Sequence, residues 1–182
     1  MVICGIDEAG RGPLAGPLAI AGCILAGEIK GLNDSKKLTE KRREELYEEI
    51  IANSKYHIAM FDAAEIDSIG LSKCITSGLI QIKNNLTAEK YIFDGNSRFG
   101  VSGIETMIKA DTQITEVMAA SILAKVTRDR VMTKLAEIYP AYGFASHKGY
   151  GTAAHIEAIR IHGLSPEHRE SFKPKKLQAT LF

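Results

Sequence analysis

Four acids in this 182-residue chain, Asp7, Glu8, Asp94 and Asp111, stand where short apolar runs give way to polar or small residues. A carboxylate at the end of an interior strand is costly to strip of water unless a cation or hydrogen bonds compensate it. If the four meet, their mutual repulsion demands such a cation. Oxygen donors suit hard divalent ions, and Mg²⁺ fits a site that keeps waters for a phosphate substrate. Two such ions would activate a water and stabilise the leaving oxygen of an in-line displacement at phosphorus. Just after the first pair, Gly10-Arg11-Gly12 offers unobstructed backbone groups and a cation, a loop able to hold a phosphate or a sugar hydroxyl. Ser35-Lys36-Lys37 could touch phosphates. Tyr150, between two glycines, could stack on a sugar or base while nearby Lys148 meets a phosphate. Each feature alone also has a plain structural reading: a capped turn, a tight turn, solvated lysines, a packing tyrosine. Recurrence of strand-terminal acids at three places favours the metal site.

The elements that must position these residues follow from hydrophobic pattern. The run over residues 2–6 predicts a buried strand ending at Asp7-Glu8, and residues 17–25 a second, paired with it like a hairpin. Leu38-Thr39 reads as staple and cap for a helix over about 40–53, followed by a strand over 55–61. A short helix from about residue 63 precedes a longer one over about 71–84, with Leu71, Cys74, Ile75, Leu79 and Ile82 on its apolar face. Residues 91–93 form a short strand running into Asp94, and 104–108 a fifth leading to Asp111. A long central helix over about 114–136 carries Ile114, Met118, Ile122 and Val126 on one ridge, backed by alanines. Loop 147–152 and a helix over 153–161 complete the pattern. One constraint stands out: neighbouring strand residues point to opposite faces, so Asp7 and Glu8 share a site only if the chain bends there or Glu8 uses its backbone carbonyl.

Composition fits one globular domain with a substantial core: 45% apolar and 25% charged residues. With neither a run of about 18 apolar residues nor a secretory leader, the chain reads as cytosolic and free of the membrane. Cys4, Cys23 and Cys74 lie in apolar surroundings without metal-ligand spacing and read as buried thiols. Residues 1–124 carry a net charge of −4 and residues 125–182 a net of +5. An acidic body with a basic end could place cations against a polyanion while keeping acids for chemistry.

Taken together, the motifs resemble ribonuclease HII, the type 2 ribonuclease H family. The similarity runs in family order from residue 3 to about 172. It passes through Asp7-Glu8-Ala9-Gly10-Arg11-Gly12, Asp34-Ser35-Lys36-Lys37-Leu38, Asp94-Gly95, Lys109-Ala110-Asp111 and Ala119-Ala120-Ser121-Ile122-Leu123-Ala124-Lys125-Val126 with Arg128-Asp129. It ends with His147-Lys148-Gly149-Tyr150-Gly151-Thr152 and His168-Arg169-Glu170-Ser171-Phe172. Ala110 and Met118 depart from the residues usual in the family, glycine and a smaller side chain. The resemblance implies an α/β, ribonuclease H-like fold: a five-stranded mixed sheet flanked by helices, with a helical C-terminal portion. We expect a catalytic core over residues 1–145 and a helical extension over 146–182 packed on the same domain.

In family terms Asp7, Glu8, Asp94 and Asp111 hold Mg²⁺ or Mn²⁺, Gly10, Arg11 and Gly12 read a ribonucleotide's 2′-hydroxyl, and Tyr150 packs on the adjoining deoxyribose. Partners would be RNA-DNA hybrids and ribonucleotide-containing duplex DNA, cut by a monomer on the 5′ side of the ribonucleotide. The intact Gly-Arg-Gly argues against the sister type, ribonuclease HIII. Gln178-Ala179-Thr180-Leu181-Phe182 resembles the first half of a sliding-clamp binding peptide but lacks the aromatic pair expected further on. Two rivals remain at this point: a non-catalytic hybrid-binding module with structural acids, and a metal-dependent enzyme acting on small phosphate esters.

Overall fold

The apolar runs become the strands of one five-stranded mixed sheet, ordered β3-β2-β1-β4-β5, in a computed structural model that describes residues 1–173. Strand β1 (Ile3–Ala9) pairs antiparallel with β2 (Leu18–Leu25), and β2 pairs antiparallel with β3 (Ser54–Phe61). On the other side of β1 lie β4 (Lys90–Asp94) and β5 (Glu105–Met107), both parallel to their neighbours. Parallel strands need crossovers, and helices supply them.

Helix α1 (Glu40–Ala52) starts at Thr39, whose hydroxyl accepts the Arg42 N–H as expected for a cap. A capping box of Asp62 and Glu65 starts α2 (Ala63–Ile69), and α3 (Leu71–Asn85) buries Cys74, Ile75, Leu79 and Ile82. These pack on one sheet face with Cys4, Ile6, Leu18 and Ile20. The other face, carrying Ala19, Ala21 and Cys23, receives Leu46 and Ile50 of α1 and the first half of α4 (Thr115–Ile138). All three cysteines are free and buried.

Helix α4 departs from the one-ridge expectation. Val117 and the continuous run from Ala119 to Ala124 are buried, while Ile114 and Met118 are only half-buried. The helix packs on β1 and β2 with α1 beside it on the same face, and its alanines let backbones approach closely. Gly5 makes the same allowance from β1: a Cβ there would sit 2.2 Å from the Val117 nitrogen. Thus α4 rests almost directly on the strand that carries Asp7.

Beyond α4 come the short α5 (Phe144–His147) and α6 (Ala153–His162). Residues 164–173 form no helix and run as a strap over the loop between β1 and β2. Gly16 N–H donates to the Glu167 carbonyl and Arg169 N–H to the Leu14 carbonyl, both at 2.8 Å. Asp67 fastens the far end, accepting the Glu170 and Ser171 N–H groups and the Ser171 hydroxyl. Leu14, Ala15, Met132, Tyr142, Phe144 and Ile159 share one small core, so the C-terminal portion packs on the loop that carries Gly-Arg-Gly. The clamp-like peptide at residues 178–182 lies outside the described residues.

Candidate metal centre and substrate cleft

Strand register brings the acids together. Ile6 of β1 stands beside Phe93 of β4, so the next residues, Asp7 and Asp94, follow directly on the last paired residues of these parallel strands, Asp94 ending β4 while β1 runs on to Ala9. Past β5, Lys109 takes a left-handed backbone (φ 59°) and turns the chain so that Ala110 N–H reaches Asp94 Oδ1 at 2.7 Å. Asp111 follows on a 3-10 turn at the foot of α4. Each of Asp7, Asp94 and Asp111 offers an oxygen within 4.8 Å of the other two. Asp7 is 6% exposed and Asp111 4%.

Two unit charges at that separation repel by roughly 3 kcal/mol even at an effective dielectric of about 20. Burial, then Glu8, Asp94 and Asp111, hold the Asp7 carboxyl well above the usual carboxylate range. Burial and Asp94 raise Asp111 also. Lys36 Nζ, 3.6 Å from Asp111, is the compensating cation among the described residues, and its side chain is 78% exposed. Burial pulls the Lys36 ammonium down, but Asp111, Asp34, Asp7 and Asp94 together outweigh it and leave the ammonium raised. One solvated ammonium does not balance three clustered carboxylates, two of them buried and Asp94 half-buried. The donor set therefore fits a hard divalent cation held by Asp7, Asp94 and Asp111.

The Glu8 carboxylate does not join those three. Register with β2 continues unbroken from Asp7↔Ala21 through Glu8↔Ile20 to Ala9↔Ala19, so the bend expected between the acids is absent. Alternation turns Asp7 toward α4 and Glu8 to the opposite face. There Glu8 Oε1 lies 2.5 Å from Arg11 Nε, and Glu8 Oε2 is buried without a partner. Burial pushes the Glu8 carboxyl up to about 6 despite Arg11. Both acids nevertheless line one cleft, together with Gly10, Arg11, Gly12, Ser35, Lys36 and Tyr150. Of the remaining residues singled out by sequence, Lys37 lies outside that lining, and Lys148 Nζ turns away to the Ala145 carbonyl at 2.6 Å.

The turn comes at Gly10, whose φ of +101° favours glycine. Its amide neighbourhood is crowded as well: a Cβ would meet Arg128 Nε at 2.4 Å and the Pro17 carbonyl at 2.6 Å. Arg11 projects over the rings of Phe93 and Phe99, at 5.9 and 5.2 Å from their centroids.

Two buried arginines hold this loop in place. Arg128, 1% exposed, donates Nε to the Pro17 carbonyl at 2.8 Å, Nη1 to Lys148 at 2.8 Å and Nη2 to Ala15 at 3.1 Å. Arg169, also 1% exposed, donates to Gly16, Arg11 and Gly10 carbonyls at 3.0, 3.2 and 2.7 Å. The planar fork of arginine suits this multidentate task.

The ribonuclease HII family model matches residues 4–175. The chain belongs to the ribonuclease HII family. It is 62% identical to the ribonuclease HII of Campylobacter hominis, over 100% of this chain and 99% of the relative, and 60% identical to that of Sulfurovum sp., over 99% and 96%. A solved PCNA:RNase HII complex from Archaeoglobus fulgidus contains a chain with TM-score 0.82 and 27% identity, covering 96% of each. The fold is accordingly ribonuclease H-like, and the protein is an endoribonuclease that acts on the RNA strand of RNA-DNA hybrids.

Within this ribonuclease HII, sequence reasoning missed several residues of the site's frame. Ser121 and Lys125 of α4 line the cleft, Ser121 Oγ donating to Ser35 Oγ at 2.7 Å. Arg128, noted in the sequence only beside Asp129 in the family motif, is buried. The available signal was its position one turn after Ala124 and one turn before Met132, on a helix face that buries both.

Proposed function

We propose that this ribonuclease HII cuts on the 5′ side of a ribonucleotide embedded in duplex DNA, leaving a 3′-hydroxyl and a 5′-phosphate. The observation that carries the reading is the juxtaposition of three mutually repelling carboxylates, Asp7, Asp94 and Asp111, with a cleft rimmed by Gly10-Arg11-Gly12 and Tyr150. The acids would hold Mg²⁺ or Mn²⁺, one ion or a pair, which supplies charge neutralisation and an acidified water for attack at phosphorus. Everything else is work for the chain's own groups.

Backbone groups of residues 10–12 approach the sugar without side-chain obstruction and read its 2′-hydroxyl. Tyr150, 43% exposed, supports the adjoining deoxyribose. Ser35 and Lys36 stand on the opposite rim for the phosphate. Asp94 is kept aimed by the Ala110 N–H, and Glu8 by Arg11. Attack by water requires no covalent link to the protein.

A duplex containing one ribonucleotide tests the proposal. Well-folded protein should cleave it with Mg²⁺ or Mn²⁺ and leave the all-deoxy duplex intact; absence of product with either ion sinks the reading. Duplex affinity without product would mark a binding module, and indifference to the 2′-hydroxyl a general phosphoesterase. The Archaeoglobus relative's complex with PCNA motivates a second assay. The Gln178-Ala179-Thr180-Leu181-Phe182 peptide should bind a sliding clamp, and loss of that binding in a chain ending at residue 177 checks it.

A further inference from the structure

Behind Tyr150 runs a chain of histidines whose hydrogen bonds admit one self-consistent set of protons. Ser165 N–H donates to His168 Nδ1 at 2.9 Å, so that nitrogen is an acceptor. The His168 proton therefore sits on Nε2, 3.0 Å from His155 Nε2, which must accept it. His155 then carries its own proton on Nδ1 and donates it to the Tyr150 carbonyl at 2.8 Å. His147 stacks on His155 with centroids 4.3 Å apart and is fixed in the same way. Its Nδ1 accepts the Gly149 N–H at 3.1 Å, and its Nε2 donates to the Tyr142 carbonyl at 2.6 Å.

His155 is 0% and His168 3% exposed, and Tyr142 and Phe144 rings cover them. The ionisable groups facing the pair are His147 and Tyr142; among the described residues neither imidazole has a carboxylate partner. Burial and the neighbouring imidazoles push His168 down to about 4 and lower His155 too. Both rings are neutral at ordinary pH.

We propose that His155 and His168 are positioning residues for the cleavage reaction, a neutral imidazole relay that sets Tyr150 against the Gly-Arg-Gly rim and ties it to the strap. The proposal rests on the reading of Tyr150 as a sugar platform. His168 is followed at once by Arg169, whose guanidinium holds the Gly10 and Arg11 carbonyls. One strap thereby fixes both the Gly-Arg-Gly loop and Tyr150. An apolar pair would fill the same space but leave the Tyr150 carbonyl with the Thr152 N–H alone.

Two measurements test this. In the wild-type protein, long-range proton–nitrogen NMR at pH 6 should find His168 neutral and protonated on Nε2, and His155 neutral and protonated on Nδ1. Ordinary titration of His155 or His168, or the opposite tautomers, overturns the relay. In kinetics, His155→Gln reaches the Nε2 position but forfeits the bond to Tyr150, and should raise KM for a single-ribonucleotide duplex about tenfold with little change in kcat. His155→Asn keeps a donor near Nδ1 and should recover most of the loss. With Tyr150→Ala already in place, His155→Gln should add nothing further to KM; an additive loss marks a general structural role and overturns the proposal. A damaging Tyr150→Ala beside a silent His155→Gln also overturns it while sparing the platform reading. A silent Tyr150→Ala overturns both.

Discussion

At Asp7 electrostatics and strand geometry pull in opposite directions, and the resolution explains the pairing of acids in this site. Its neighbours on the parallel sheet concentrate charge, while alternation sends the adjacent Glu8 to the other face. The sequence made three of the four acids legible as a cluster because each closely follows a short apolar run. It could not show where Glu8 goes, since that depends on whether β1 stays regular to Ala9. Asp94→Asn removes one charge but keeps an oxygen for the Ala110 N–H. It should fold normally and lose at least roughly a thousandfold in kcat, the scale of a lost electrostatic contribution at a reacting centre. Near-wild-type turnover would remove Asp94 from the site. Glu8 permits a pH test. Its folded-state pKa is raised from 4.5 to about 6, so the folded protein holds the proton over a window in which the unfolded chain has released it. Stability from this group is thus highest below about 4.5 and falls as pH rises through about 6, by up to about 2 kcal/mol. The buried His155 and His168, lowered in the fold, give the opposite slope, so Glu8 must be isolated by difference. Urea unfolding in the presence of chelator should show Glu8→Gln gaining on wild type between pH 4.5 and 7, and a constant gap would contradict the shift.

The loop from Gly10 to Pro17 shows at the scale of an element how a cleft wall is made from backbone. Its shape is imposed from outside by Arg128 and Arg169, which together accept responsibility for the carbonyls of Gly10, Arg11, Ala15, Gly16 and Pro17. Hydrophobic periodicity located α4 but not its buried guanidinium, because period reports an apolar face and says nothing about polar groups satisfied inside. Arg128→Met should strand three buried carbonyls and destabilise the fold by about 3 kcal/mol or more, measurable by urea titration. The two glycines of the motif should behave differently from one another. Gly10→Ala combines a φ of +101° with a Cβ 2.4 Å from Arg128 Nε, so folding itself should suffer. At Gly12 the first atom a Cβ meets is Tyr150 Cε1 at 4.0 Å, which is ordinary contact. Gly12→Ala should keep its thermal stability yet raise KM for a single-ribonucleotide duplex, because the methyl would enter the space that the proposed function gives to the sugar. An unchanged KM would show that the substrate does not approach there.

Across the whole molecule the charge is divided: residues 1–124, which include the three clustered aspartates, carry a net of −4 and residues 125–182 a net of +5. A near-neutral total therefore conceals a polarity suited to a polyanion whose reacting phosphate must nevertheless approach acids. The sequence alone showed this asymmetry but not which cations point at substrate, since a lysine's reach is settled by what its ammonium already holds. Lys148 Nζ is committed to the Ala145 carbonyl at 2.6 Å, and its own carbonyl serves Arg128. Lys36 leans over the cleft with most of its side chain in solvent. Binding to a ribonucleotide-containing duplex, followed with catalytically inert Asp94→Asn, should weaken linearly on a log–log plot against salt, with a slope of about 0.9 for each phosphate neutralised. Lys36→Ala should reduce that slope by about 1, the loss of one counterion-releasing contact. Lys148→Ala should leave the slope where it was, its ammonium being turned to the Ala145 carbonyl. If Lys148 changes the slope and Lys36 does not, the duplex crosses the C-terminal loop rather than the cleft between Lys36 and Tyr150, and the polarity of the molecule serves a different path.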